Sequence, residues 1–580
     1  MKTFLMNLTR QNVTRQNVAC FICSAILMTV CTLPVSAQYV LPEGKSGAPV
    51  QTPEPLKPVL PTPQQLQWQD MEQTMFVHFA PDTWQGNERD NLKTPLSEIH
   101  PSQLDVNQWI DAAESFDAKM ILFVVKHTGG FCWWQTETTE YSIRNTPYKN
   151  GKGDVLDELA KACFARGMKL GIYLSPQDST VGTTNGGRTK DPKKQEAYSQ
   201  ILRKQWEEVL SRYGNFVTEI WFDGGLVVPL EDVVRKYAPS SIVLQGPFAD
   251  IRWVGNERGI CPYPNWYTVK EKDAKSGKAT AKHSTPDGDR YQPVEVDVPL
   301  KNHYWFWSPT NEKKLRTVDE LMEIYYSSVG NGSLLLLNSA PDTTGLIPQK
   351  DMEIYKKFGQ ELRRRFGKSL AETSGRGEAV ELKLESGTVI DHVIIQEDLS
   401  FGQRIRKYAI EGLTDKEWKP IAQGTSVGQK RIERFKPVKI DAVRLRVLES
   451  SFSPIIRRFA VFNTEEVKAP TAAVVSSKPD KNVGVFNTSQ DGSFTFDLSP
   501  YIPLAEQYTL RIRQGKTIIR PSKIMLWLQG VETPGFIEVL DDGSIHLNIT
   551  GAPDMKLNSI VIKGQLDKNY GRDALHLYVQ

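Results

Sequence analysis

The stretch TEIWFDGG, residues 218–225, decides how this chain is interpreted. An apolar run with the character of a buried strand ends on Asp223, and two glycines follow at once. An Asp before Gly-Gly most often forms only a turn. The alternative is that the fold requires a carboxylate at the end of this strand, and the rest of the sequence decides between the two.

The region around this stretch, from about 63 to 366, alternates short apolar runs with helical patterns. Runs that are apolar throughout and separated by helices predict a parallel sheet buried on both faces. About 300 residues with this alternation predict a (β/α)8-like TIM barrel. An open doubly wound sheet is the alternative, but no Gly-rich phosphate loop follows the first run. The runs lie at 74–80, 119–127, 169–175, 217–224, 241–246 and 333–341.

The segment before the barrel has the pattern of an exported protein. Residues 1–37 combine a basic start, an apolar run and small residues before the cleavage point, which predicts a signal peptide. The chain is therefore predicted to be secreted or periplasmic. An N-terminal membrane anchor is the alternative, but the run is short for a full span. Residues 38–62 are predicted to form a Pro-rich leader.

The segment after the barrel changes to period-two alternation, which is typical of β-strands with one buried face. It predicts two all-β sandwich domains, at 367–467 and 482–580, joined by a linker at 468–481. The whole chain is thus predicted to be an α/β barrel followed by two β-sandwiches.

Composition excludes several classes of function. The net charge is only +3, from 71 basic and 68 acidic residues, which predicts no nucleic-acid or anionic-membrane partner. The cysteines after the signal are Cys132, Cys163 and Cys261, an odd number without metal-ligand spacing. Neither a disulfide framework nor a metal or other cofactor is therefore predicted. The chain also has 13 Trp, whose indole faces can serve as platforms for sugar rings.

Residues that carry chemistry follow the predicted strands, at the end where barrel enzymes have their sites. Histidines, aromatic rings and carboxylates on one rim are typical of a sugar site, and a carboxylate pair is what cleaves a glycosidic bond. Each residue alone more often has a structural role, so the joint pattern carries the prediction. In chain order the rim residues are His78, Lys126, His127, Tyr173, Trp221, Asp223, Glu257, Glu295, Asp297, Trp305 and Trp307.

The ordered motifs between about 66 and 366 resemble those of the α-L-fucosidases of glycoside hydrolase family 29. The resemblance implies a barrel followed by β-sandwich domains, a retaining exo-acting mechanism, and Asp223 as the nucleophile. It would explain why the strand ends on an acid. The motifs are MFVHFAPDTW, VVKHTGGFCWWQTETTEYSI, GMKLGIYLSPQD, EIWFDGG, RWVGNERG, WFW and YYSSVGNGSLLLLNSAPDTTGLI.

The resemblance also implies an acid/base residue, whose position varies within the family. WVGNERG is similar to the WxGNExG segment of the branch that favours α-1,3 and α-1,4 links, and this assigns Glu257. Glu295 is the rival. Glu257 follows Asp223 by 34 residues, which is short for that branch and indicates a trimmed loop on the leaving-group side.

The remaining site residues are assigned by the same resemblance. His78, Glu88, His127 and Tyr173 are predicted to hold sugar hydroxyls, while Trp134, Trp221 or Trp305 covers the methyl side of fucose. Two features depart from the family pattern. Thr128 stands where a second histidine is common, and Arg89 replaces an aromatic partner of Glu88. The first β-sandwich resembles discoidin-like modules.

Three hypotheses of function follow. The first is an exo-acting α-L-fucosidase whose partner is a fucosylated oligosaccharide or glycoconjugate. The second is a related exo-glycosidase for another sugar, such as an α-galactoside. The third is a catalytically inactive carbohydrate-binding protein, which the trimmed loop and the altered histidine segment would favour.

Overall fold

The structure is a computed structural model that describes residues 58–464 and, beyond them, β-strands that lie between residues 481 and 579. The predicted signal peptide at 1–37 lies outside the described residues. Residues 38–57 of the predicted leader and 468–480 of the predicted linker also lie outside them.

Eight parallel strands form the barrel. They are β1 (Gln73–Val77), β2 (Met120–Lys126), β3 (Lys169–Leu174), β4 (Val217–Trp221), β5 (Ile242–Leu244), β6 (Arg252–Trp253), β7 (Val294–Pro299) and β8 (Leu334–Ser339). Their order in the sheet is β5-β4-β3-β2-β1-β8-β7-β6. A parallel bridge between Leu244 and Ile251 joins the two ends, so the barrel is nearly closed. The predicted TIM barrel is confirmed, and β6 and β7 are strands that the sequence pattern did not predict.

Nine helices are found in the described part of the chain. Side chains just before several of them cap the free backbone N–H groups of the first turn, as Asp105, Asp154 and Thr317 do. The helices are α1 (Pro63–Gln69), α2 (Asp82–Gln85), α3 (Val106–Ser115), α4 (Val155–Arg166), α5 (Gln195–Tyr213), α6 (Glu231–Tyr237), α7 (Glu271–Lys275), α8 (Val318–Ser327) and α9 (Gln349–Phe366). None of the helices in these residues is long and apolar enough to cross a bilayer.

The barrel strands separate two apolar layers. Residues such as Phe76 and Leu336 point into the barrel, while their neighbours along each strand pack against the helices. Helix α1 lies against the inner layer, because its Trp68 is part of it and donates a hydrogen bond of 2.6 Å to Glu219. This contact closes the N-terminal end of the barrel and leaves the opposite end for a site.

The region after the barrel is antiparallel. Strands β9 (Ala371–Arg376), β10 (Ala379–Glu397), β11 (Ile405–Thr414), β12 (Glu417–Gly424), β13 (Arg431–Ser450) and β14 (Ile455–Phe462) form one sheet around a shared apolar core. This sheet contacts the barrel, for example where Arg434 pairs with Glu323 of α8 at 2.6 Å.

The described strands beyond residue 480 form two further antiparallel sheets. The prediction of all-β structure after the barrel is therefore confirmed, whereas the domain limits stay predictions. The strands are Lys481–Phe486, Ser493–Asp497, Gln507–Gln514, Thr517–Ile518, Lys523–Leu528, Val531–Glu532, Ile537–Val539, Ile545–Asn548, Ile560–Gln565 and Leu575–Val579.

Candidate active site

Strand β4 delivers Asp223 to the open end of the barrel. Glu219 and Trp221 point inward along the strand, and Asp223 follows with the same period of two. The hydroxyl of Tyr173 on β3 donates a hydrogen bond of 3.0 Å to Asp223 Oδ2. Tyr173 and Trp221 are in register on neighbouring strands, so the aromatic rings lie directly beneath the acid.

The two glycines after Asp223 have a backbone reason. Gly224 and Gly225 have φ values of 71° and 90°, which side-chain-bearing residues rarely adopt. A Cβ on Gly224 would also lie 3.0 Å from Asn185, and one on Gly225 would lie 3.0 Å from Lys278. The chain therefore turns sharply after the acid under close packing.

Glu257 is carried by the loop after β6, and Trp305 holds it in place. The indole Nε1 of Trp305 donates a hydrogen bond of 3.0 Å to Glu257 Oε2. The backbone N–H of the same Trp305 donates to Glu88 Oε2 at 2.8 Å, and its ring lies 4.9 Å from the ring of His78. Trp305 thus joins three of the predicted site residues.

Two histidines on neighbouring strands meet at this rim with opposite electrostatic preferences. Burial, and secondly the nearby His127, lower the pKa of His78 well below its ordinary value. Burial alone would also lower the pKa of His127, but the carboxylates of Asp82, Asp223 and Glu88 raise it instead. The rings are 5.8 Å apart, so two histidines with opposite tendencies to hold a proton lie side by side.

The structure brings most of the predicted site residues together, with Trp134 as the exception. Trp134 is fully buried in the layer between strands and helices, where its indole donates a hydrogen bond of 3.0 Å to Glu208 of α5. An indole enclosed in this layer cannot cover a sugar, so the prediction for Trp134 is wrong. We call the residues that do converge the rim group: His78, Glu88, His127, Tyr173, Trp221, Asp223, Glu257 and Trp305.

Glu295, the rival acid/base, lies deeper in the barrel than the rim group. It is fully buried on β7, and its Oε2 accepts a hydrogen bond of 2.6 Å from Trp221 Nε1. It faces Glu219 of β4, and burial is the main cause that raises the pKa of both carboxyl groups. A proton on Glu295 donated to Glu219 would satisfy the Oε1 atoms, which are otherwise unpartnered among the described residues. Glu295 therefore supports Trp221, one of the aromatic rings that lie beneath Asp223, from deeper in the barrel.

This carboxyl pair should make the stability of the protein fall with rising pH. In the folded state the pair keeps a proton to higher pH than free glutamates do. The pair therefore contributes its full stability below the unfolded pKa, about 4.3, and this stability is lost as the pH rises through the raised pKa of the folded state. Each proton retained only by the folded state costs about 1.4 kcal/mol per pH unit. We expect Glu295→Gln, which can donate to Glu219 without titrating, to flatten the decline of Tm between pH 5 and pH 9. Glu417→Gln on the exposed sheet is the control, and an unchanged slope for Glu295→Gln would contradict the shared proton.

Asp297 is a rim residue to which the sequence assigned no role. It follows Glu295 on the inward face of β7, and Trp253 Nε1 donates a hydrogen bond of 2.6 Å to its Oδ1. Burial raises the pKa of Asp297 to about 8, opposed by the Trp253 bond and assisted by the charges of Glu257 and Asp223. Both predicted catalytic carboxylates thus contribute to the raised pKa of Asp297. Period-two alternation of acids with valines at 294–298 was the signal that could have identified this strand.

Asp82 is a second residue that sequence reasoning missed. Its side chain is fully buried at the start of α2, and neither carboxylate oxygen has a hydrogen-bond partner among the described residues. The ring of His127 lies close by, with its Nδ1 3.7 Å from Asp82 Oδ1. Asp82 therefore stabilises the protonated form of His127.

Lys126 turns away from the rim although His127 next to it faces the site. The strand has a register break between Val124 and Lys126, and Lys126 forms a buried ion pair of 3.0 Å with Asp178. Within the described part of the chain no cluster of three or more metal-ligating side chains occurs. The chemistry available at the rim is that of carboxyl groups, imidazoles and aromatic rings.

Comparison with known proteins agrees with this geometry. The family model described as Alpha-L-fucosidase matches residues 63–365. Alpha-L-fucosidase 1 of Arabidopsis thaliana is 30% identical over 460 residues, which is 70% of this chain and 88% of that protein. 

Solved structures extend the likeness. A protein from Bacteroides thetaiotaomicron is 32% identical with a TM-score of 0.66, covering 70% of this chain and all of the other. A glycoside hydrolase 29 family member from a rumen bacterium is 25% identical with a TM-score of 0.65, covering 91% of this chain and all of the other. The family match spans more than half of the chain and coincides with the barrel and its rim. The chain therefore belongs to the α-L-fucosidases of glycoside hydrolase family 29.

Proposed function

We propose that the protein is a retaining, exo-acting α-L-fucosidase that hydrolyses terminal α-1,3- and α-1,4-linked fucosyl groups. Asp223 is the nucleophile and Glu257 is the acid/base. One observation carries this proposal: Tyr173, which donates to Asp223, and Trp305, which donates to Glu257, both lie against the ring of His78, with ring centroids 6.1 Å and 4.9 Å away, so the two acids share the open end of one barrel.

The first step forms a covalent intermediate. Asp223 attacks the anomeric carbon of fucose while the glycosidic bond breaks, and Glu257 gives its proton to the departing oxygen. In the second step Glu257 takes a proton from water, the water oxygen bonds to the anomeric carbon, and the bond to Asp223 breaks. Two inversions give net retention, which requires the two carboxyl groups about 5–5.5 Å apart.

The other members of the rim group bind and orient the sugar. The hydroxyl of Tyr173 fixes one oxygen of Asp223, so that the other is free to attack. His127 donates a hydrogen bond from a ring N–H to a sugar hydroxyl. The Nδ1 of His78 lies 2.7 Å from Asn338 Oδ1, so the other ring nitrogen, Nε2, is the one that binds the sugar. Trp305 offers an apolar face next to the acid/base, where the methyl group of fucose can pack.

The linkage preference rests on the WVGNERG segment that carries Glu257. The N-terminal sequence supports export, so the substrates are proposed to be extracellular or periplasmic glycans. The loop between Asp223 and Glu257 is short, and it borders the side on which the leaving group departs.

Product analysis tests this proposal. The purified protein is incubated with aryl α-L-fucosides, aryl α-galactosides, and oligosaccharides with α-1,2, α-1,3, α-1,4 or α-1,6 fucose. We expect release of free fucose from the α-1,3 and α-1,4 compounds, first as the α-anomer by NMR. Galactose release would favour the related exo-glycosidase, and tight fucose binding without turnover would favour the inactive binding protein.

A further inference from the structure

Asp297 is built into the barrel as an inward-facing acid that the proposed mechanism does not use. Its side chain is almost completely buried, and its position on β7 is in register with Leu336 of β8, a residue of the inner apolar layer. One carboxyl oxygen is fixed, because Trp253 donates a hydrogen bond of 2.6 Å to Oδ1. Trp253 is the last residue of β6, four positions before Glu257. The bond therefore sets the direction in which the loop carrying Glu257 leaves the barrel.

The charges that contribute most at Asp297 come from acids. Asp223 approaches from the loop after β4, Glu257 from the loop after β6, and Glu295 lies below it on its own strand. Among residues 58–464 no lysine or arginine forms an ion pair with Asp297. A third negative charge here would be desolvated and would face two others, which is costly unless the group stays protonated.

We propose that Asp297 is a positioning residue that works as a neutral carboxylic acid. Its Oδ1 anchors Trp253, and its own O–H donates a hydrogen bond into the space that it shares with Glu257 and Asp223. The role rests on the proposed function, since it acts through Glu257. The neutral form adds no further negative charge beside Asp223 and Glu257.

Replacing the carboxyl group of Asp297 with an amide tests whether the neutral acid is the working form. Asp297→Asn keeps an acceptor for Trp253 and a donor towards the site, but the amide cannot ionise. Asp297→Ala removes both contacts. The two variants therefore separate the neutral-acid role from mere filling of space. The matched control is Asp415→Asn, at an exposed turn whose φ of 53° asparagine tolerates well.

The experiment measures kcat/KM of the full-length protein from pH 5 to pH 10 with an activated aryl fucoside, which needs no help from Glu257 to leave. We expect Asp297→Asn to stay within about threefold of the parent at pH 6 and to shift the alkaline midpoint upward by at least about one pH unit, because the ionisation near pH 8 is gone. We expect Asp297→Ala to lose about tenfold to 100-fold with an unactivated fucoside, because Glu257 is misplaced, and clearly less with the activated one. A loss above about 100-fold for Asp297→Asn at pH 6 would overturn the proposal, since the carboxylate itself would then be reacting. A pH profile that is identical to the parent's would also overturn it.

A second measurement does not depend on turnover. Asp297 keeps its proton in the folded state to higher pH than in the unfolded chain, so the parent loses stability as pH rises towards 8. We expect a smaller fall of Tm between pH 6 and pH 9 in Asp297→Asn than in the parent and in Asp415→Asn. Equal slopes would contradict the neutral acid even if the protein hydrolyses no fucoside. Absence of turnover with a flattened slope would contradict the proposed function alone.

Discussion

Replacing Asp223 with alanine lowers kcat for an aryl α-L-fucoside by about four orders of magnitude or more, while KM changes little. The loss is this large because Asp223 is the group that attacks the anomeric carbon, and the hydroxyl of Tyr173 holds it in place. No other side chain of the described rim group accepts this hydrogen bond. Without the carboxylate, the glycosyl-enzyme cannot form, and only the slow direct reaction with water remains.

Chemical rescue gives this variant a specific signature. Azide fits the space left by the carboxylate and attacks the same face of the sugar, so the aryl group leaves and β-L-fucosyl azide forms. Asp415→Asn, at the exposed turn between β11 and β12, should keep full activity and Tm. Retention of more than about one hundredth of the activity in Asp223→Ala would contradict the assignment of the nucleophile.

Replacing Glu257 with glutamine produces a loss that depends on the leaving group. Glutamine still accepts the hydrogen bond from Trp305, so the loop geometry is preserved and only the transferable proton is removed. General acid catalysis contributes about 10²- to 10⁴-fold, and we expect a loss of this size on oligosaccharides. Formation of the intermediate from an activated aryl fucoside should change far less, because its leaving group needs no proton.

Glu295→Gln is the comparison that decides between the two candidates for acid/base. Glu295 lies under Trp221 and faces Glu219, so its replacement should not produce a loss that depends on the leaving group. If Glu295→Gln shows that dependence and Glu257→Gln does not, the roles must be exchanged. Measuring kcat/KM against the pKa of the leaving phenol for both variants provides the test.

The sequence predicted those parts of the fold in which one physical signal dominates. Strands β2 and β8 contain the unbroken apolar runs MILFVV and LLLL because they are buried on both sides, so these runs stand out. Asp223 was found because the run of β4 ends there. Strand β6 has two residues, too few for any period, and β7 carries two buried acids, so its alternation does not form the continuous apolar run of a strand buried on both sides.

The errors within the site have a common cause, which is that side-chain direction depends on tertiary packing. Trp134 follows a strand end as Trp305 does, but the β2 loop directs its indole to Glu208 of α5. Lys126 and His127 are adjacent, and only the register break after Val124 turns the lysine towards Asp178. The pKa of Asp297 is raised first by burial and then by Glu257 and Asp223 on other loops, and no local pattern contains this surrounding.

The central claim is that Asp223 forms the bond to the sugar. A 2-deoxy-2-fluoro-L-fucosyl fluoride slows the second step more than the first, so the intermediate accumulates and can be mapped by mass spectrometry of a digest. We expect one fluorofucosyl group per protein molecule, on the peptide that contains TEIWFDGG, with fragmentation placing it on Asp223. A label on Glu257, Asp297 or any other residue, or the absence of a label under conditions of turnover, would contradict the account.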